Sequence, residues 1–147
     1  MTLPSAGTNL VIQTTTSLIT FYSSRGLKQT LTPIRAAQAM RRTVNGALVD
    51  ISLAQFQKYA STISCTDQRP PALDAIWPGQ TVTVSCVALL SYPSAGAPSR
   101  PVVSGSSFTE NGFTFYSPLL TMKIMTPKSE MDEWKASVGW ELALEEI

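Results

Sequence analysis

The chain has no histidine among its 147 residues. That absence excludes Ser-His-Asp triads, Cys–His dyads and His-ligated zinc together. Its two cysteines, Cys65 and Cys86, are too few for a four-thiolate metal site or a disulfide framework. Each lies in an alternating apolar stretch, which favours buried thiols acting as small hydrophobes over a bridge. Charge is scarce, at 14% of residues with eleven basic against ten acidic. Near-balance supplies no general attraction to nucleic acid or an anionic membrane, so neither is expected as a partner. Arg41 and Arg42 form the only adjacent basic pair. No run approaches the ~18 apolar residues of a membrane span, and residues 1–8 lack the basic start and apolar core of a signal peptide. Synthesis and folding in a cytoplasm are expected. No GxxxxGK[ST] or GxGxxG motif occurs, so nucleotide binding has no local support.

Thr and Ser stand where charge would usually be, and the chain is written mainly in short alternating runs. The most regular is the C-terminal EWKASVGWELALEE, where Trp134, Ala136, Val138, Trp140, Leu142 and Leu144 recur at every second position. A period of two places them on one face of a strand, with Lys135, Glu141 and Glu145 on the other. Further strands are expected over 9–13, 18–22, 27–34, 61–65, 81–90 and 113–126, the last broken at Ser117–Pro118. Pro127 opens a charged stretch, 127–133, read as the turn into the closing strand. Asn45–Gly46 between two alternating runs predicts a hairpin with a two-residue type I′ turn. Trp77-Pro78-Gly79-Gln80 carries the signature of a type II turn. Ser52, with Gln55 three residues on, predicts a short helix over 52–60.

Residues 1–8 read as a flexible arm, and 91–112, rich in Ser, Pro and Gly, as an extended loop of unusual length. Both are expected to touch neighbouring subunits rather than fold back, with Val102 and Val103 adding a strand on docking. The fold expected is one mainly β domain over 1–147: an antiparallel β-sandwich or partly open β-barrel with one short helix.

No catalytic constellation emerges. Glu141 and Glu145 share a face and could mimic an acid/base pair, yet both read as outward, solvated acids. Glu130, Asp132 and Glu133 cluster in the charged turn. Asp50, Asp67 and Asp74 sit near element ends, where Asp caps and turns the chain. No cofactor or metal is expected. Trp134, Trp140, Phe113, Phe115 and Tyr116 could form a sugar platform, but their alternation favours a core or subunit interface. Trp77, before a turn, is the best single residue for contact with a partner.

Three segments carry a resemblance: RGLKQTLTPIRAAQAMRRTVNGALVD (25–50), STISCTDQRPPALDAIWPGQTVTVSCV (61–87) and the ending SPLLTMKIM…DEWKASVGWELALEEI from 117. Together they resemble small tail and baseplate proteins of contractile-tailed bacteriophages, some of which are called ripcord proteins. The resemblance implies a mostly β, non-enzymatic virion component. Such a component packs as a ring of its own copies, or as an adaptor between tail tube, hub and baseplate wedge. No functional residue carries over individually. The residues named as candidate contacts are Trp77, Arg41, Arg42, Val102, Val103 and the acidic end Glu145, Glu146 and Ile147. A β-sandwich module binding carbohydrate or a host surface is the alternative.

Overall fold

The computed structural model describes residues 11–14, 18, 19, 23, 26–35 and 39–147. The arm expected over 1–8, and most of the strand expected over 18–22, lie outside them. The chain is mainly β, built from several antiparallel sheets that do not close into a barrel, consistent with the expected sandwich class. Six strands form the principal sheet: β1 (Val11–Gln13), β2 (Lys28–Pro33), β5 (Tyr59–Asp67), β6 (Thr81–Ser85), β10 (Leu119–Asp132) and β11 (Ser137–Glu146). Their order is β1-β6-β10-β11-β5-β2, and every neighbouring pair is antiparallel.

Alternation decides which face is buried. Val82 and Val84 of β6, Leu120, Met122 and Ile124 of β10, and Val138, Trp140, Leu142 and Leu144 of β11 all point into the core. Ile63 and Cys65 of β5 join them, while Thr62, Thr66, Thr81, Thr121, Glu141 and Glu145 face solvent. Irregular segments supply Leu18 and Ile76 to the same cluster, and Leu73 packs against it. The Trp140 indole N–H donates to the Ser23 carbonyl at 2.6 Å, so the largest core side chain is also polar-satisfied. The sheet curls. Gln29 of edge strand β2 accepts from the N–H groups of Val87 and Ala88, just past β6, at 2.7 and 3.2 Å.

β10 runs further than its composition suggests. Ile124 pairs with Leu144 and Thr126 with Ala143, so Met125 is an extra residue in a bulge. Beyond it β10 has only β11 beside it among the described residues, because β6 begins opposite Lys123. Pro127 therefore sits on an open edge, where its missing N–H costs no ladder bond. The expected turn over 127–133 is instead strand up to Asp132, and the hairpin closes at 133–136. Asp132 Oδ1 accepts from the N–H groups of Trp134 (3.0 Å) and Lys135 (3.3 Å), and Ala136 takes φ +48°. This turn chemistry ends the alternation at Ser137. Trp134 is thereby 96% exposed at the hairpin tip, not in the core with Trp140.

A second sheet of three strands, β7 (Leu90–Pro93), β8 (Phe108–Glu110) and β9 (Phe113–Tyr116), is ordered β7-β9-β8. β9 and β10 break at Ser117–Pro118, as expected. The expected strand over 81–90 divides between the two sheets, leaving Val87 and Leu89 exposed. Residues 91–112 are not an extended loop. Strand occupies both ends, and the middle is bonded to the domain through Val103 N–H to Ser117 O (2.9 Å) and Leu119 N–H to Pro101 O (2.8 Å). The expected helix over 52–60 reduces to a single 3-10 turn, Ala54–Phe56. Leu53 and Phe56 are exposed, so no core rewards a helical face, and the β5 ladder claims Tyr59 and Ala60.

Candidate interaction surface

The third sheet is a separate two-stranded hairpin, the β3–β4 arm, distinct from residues 1–8: β3 (Met40–Arg42) pairs with β4 (Leu48–Asp50). The hairpin expected here is present, but its turn differs. Gly46 N–H donates to Thr43 O (2.9 Å), Thr43 N–H to Ala47 O (2.8 Å), and Gly46 alone has positive φ, +83°. That is a three-residue loop, 44–46, with the left-handed position filled by glycine. The two-residue type I′ turn occurs elsewhere: Asn111 (φ +51°) and Gly112 (φ +80°) join Glu110 to its partner Phe113.

Among the described residues β3 and β4 pair only with each other. Every residue from 40 to 51 is exposed, including Met40, Val44, Leu48, Val49 and Ile51, with Leu53 and Phe56 at the base. A lone two-stranded hairpin is marginal in water, and a contiguous exposed apolar patch marks an interaction surface. Arg41 and Arg42 lie within it. Cross-strand partners share a face, so Met40, Arg42 and Leu48 stand on one side and Arg41 and Val49 on the other.

A polar clamp fixes the arm's base to the domain. Glu146 Oε2 accepts from the Tyr59 N–H (3.0 Å) and from Arg100 Nη2 (3.2 Å), and Nη2 also donates to Gln57 O (2.6 Å). Arg100 Nε lies 2.8 Å from Glu146 Oε1, an ionic contact off the line of a directed hydrogen bond. The guanidinium sits 5.2 Å from the Tyr59 ring centroid. Glu146 is therefore an internal anchor rather than part of a contact tail. Glu145 and Ile147 beside it are exposed. Nothing in the sequence marked Arg100, whose partners stand 43 and 46 residues away.

The other candidates are scattered. Trp77 is 70% exposed on the expected type II turn, with Gly79 at φ +95° and Gln80 N–H reaching Trp77 O at 3.3 Å. Gly79 N–H donates to Ile124 O (2.7 Å), which fixes the turn beside the Met125 bulge. Val102 bridges Pro118 and is partly exposed, while Val103 is half-buried against its own domain. The strand they were expected to add to a partner is spent internally. Trp140 and Tyr116 are buried while Trp134 is exposed, so the aromatic set considered as a sugar platform does not share one surface. Trp77, beside Ile124, and Trp134, past Asp132, are separated by about 25 Å of β10.

The polar face of the principal sheet holds an open groove of about 380 Å³ between Lys28, Ser64, Thr66, Lys128 and Glu141, over Gly139. Glu141 faces Lys128, and Glu145 faces Lys123, across the β10–β11 ladder. The two glutamates are four residues apart on one strand, about 13 Å, wider than the ~5–9.5 Å separation of paired glycosidase carboxyls. Among the described residues no group of three His, Cys, Asp or Glu could hold a metal ion. No helix is long and apolar enough to cross a membrane. Comparison with protein-family models, curated proteins and solved structures finds no match to this chain.

Proposed function

We propose that this chain is a non-enzymatic structural subunit of a bacteriophage tail or baseplate. It packs with copies of itself and with other tail proteins, as a ring or as an adaptor between tail tube, hub and baseplate components. It is made in the host cytoplasm and resides in the virion tail. The observation that carries this reading is the β3–β4 arm, an apolar hairpin held at its base and left exposed among the described residues. The low charged fraction supports it, since charge is depleted at the centre of permanent interfaces. So does the resemblance of segments 25–50, 61–87 and the C-terminal strands to small tail proteins. Quantitative mass spectrometry of purified virions tests it. The chain should appear at a fixed ratio to the tail-tube protein, and virions lacking it would overturn the reading.

The alternative, a module for carbohydrate or a host surface, rests on the two exposed tryptophans, Trp77 and Trp134. Their separation requires two independent subsites, each with one ring. Binding on a glycan array that is lost in Trp77→Ala or Trp134→Ala would favour it.

A further inference from the structure

The arm and the tip of the β10–β11 hairpin leave the principal sheet at opposite ends. Pro33, where the arm departs from β2, is opposite Tyr59, where the arm returns. The tip closes beyond Asp67, the other end of β5, which pairs with Val138. β5 spans nine residues, so the points where arm and tip leave the sheet are about 26 Å apart along it.

The two ends are chemically complementary. On the arm, Arg42 shares a face with exposed Met40 and Leu48, and Arg41 shares the other with exposed Val49. Arg42 Nη1 donates to Gly46 O at 2.9 Å, and the nearby Asp50 carboxylate is engaged by the Ser52 N–H at 2.9 Å. On the tip, Glu133 lies between exposed Met131 and Trp134, and Glu130 stands on the other face of β10 from Met131, with Lys135 the one base over 130–135. An apolar centre rimmed by opposite charges is what a steered, specific contact requires.

We propose that the arm of one copy docks on the hairpin tip of the next, so that copies associate head to tail. This deepens the assembly reading and rests on it. Such a contact joins two different patches, so it closes into a ring if the rotation between copies permits and otherwise extends as a filament. Trp134 is the anchor residue and the arginine–glutamate pairs set direction.

Sedimentation velocity of the full chain tests this. At about 50 mM salt the chain should associate with rising concentration, and at ~1 M salt, where charges are screened, more weakly. Arg41→Glu with Arg42→Glu, and separately Glu130→Lys with Glu133→Lys, should each weaken association about tenfold or more, as should Trp134→Ala. These side chains are exposed, and an unchanged melting temperature verifies that each variant is folded. Mixing the two charge-reversed variants in equal amounts should restore association, because each offers the patch the other needs. A wild type that stays monomeric, variants that associate like wild type, or a mixture that stays monomeric would each overturn the contact. A chain present in virions but monomeric in these conditions removes this contact and leaves the assembly reading. Association as described, with the chain missing from virions, does the reverse.

Discussion

Arg100 and Glu146 show how one pair can hold two parts of a β protein together. Arg100 comes from the middle of the Ser/Pro/Gly-rich segment and Glu146 from the last strand, and their side chains are 19% and 10% exposed. Removing one member leaves the other largely buried without its counter-charge, which costs more than the pair contributes. Arg100→Ala should lower stability by about 2–3 kcal/mol, read from the urea midpoint. Glu146→Gln, which keeps an acceptor for the Tyr59 N–H, should cost less. Equal losses would mean that the charge pair, not the bond to the Tyr59 N–H, holds the arm's base.

Cys86 offers a pH test. Burial pushes its thiol up to about 11 from an ordinary 9.0, against a lowering hydrogen bond from Gln29. Cys65 is raised as well, first by burial and then by the Asp67 carboxylate. A thiol that holds its proton in the fold but releases it when unfolded favours the unfolded chain as pH rises. Stability should therefore be unaffected by this group below pH 9 and fall between 9 and about 11, by on the order of 2 kcal/mol for Cys86. Denaturant midpoints at pH 8 and pH 10.5 measure it. Cys86→Ala should flatten part of that decline.

Among the elements, the two Asn-Gly dipeptides give the sharpest contrast. Asn111–Gly112 closes β8 onto β9 with both residues left-handed, while at 45–46 only Gly46 is. An alanine at either glycine is strained by ~1–2 kcal/mol in that conformation, but the consequences differ. β9 ends at the buried Tyr116, so Gly112→Ala should lower the global melting temperature. The arm rests on no core, so Gly46→Ala should leave the melting temperature unchanged and speed amide exchange only over 40–51. A global loss from Gly46→Ala would show that the arm is coupled to the domain.

For the molecule as a whole, the core and the contact surface are separable. Ile63, Val84, Met122, Ile124, Leu142 and Leu144 hold the curled sheet without help from the arm. Replacing residues 40–50 by a short Gly/Ser linker should change unfolding free energy by less than about 1 kcal/mol. The same replacement should abolish incorporation into the tail. If stability collapses instead, the arm is structural.

Local chemistry determined much of this protein without tertiary information. Alternation named the buried Val138, Trp140, Leu142 and Leu144 of β11 and the buried thiols Cys65 and Cys86 correctly, because a pleated strand sends successive side chains to opposite faces wherever it packs. The Trp77–Gln80 turn was legible for the same kind of reason: the fixed φ of Pro78 and the tolerated positive φ of Gly79 act within four residues. Trp134 was not legible. Whether it continues the alternation or sits in a turn depends on the Asp132 carboxylate capturing two N–H groups, and on where β6 stops beside β10. The segment 91–112 reads as a loop by composition, yet pairing with Phe113–Tyr116 and the Arg100 clamp fold it back. Its one local signal, Asn111–Gly112, was hidden among small residues. The arm's exposure was decided by the tertiary structure alone, since apolar residues in a hairpin look the same whether or not another layer covers them.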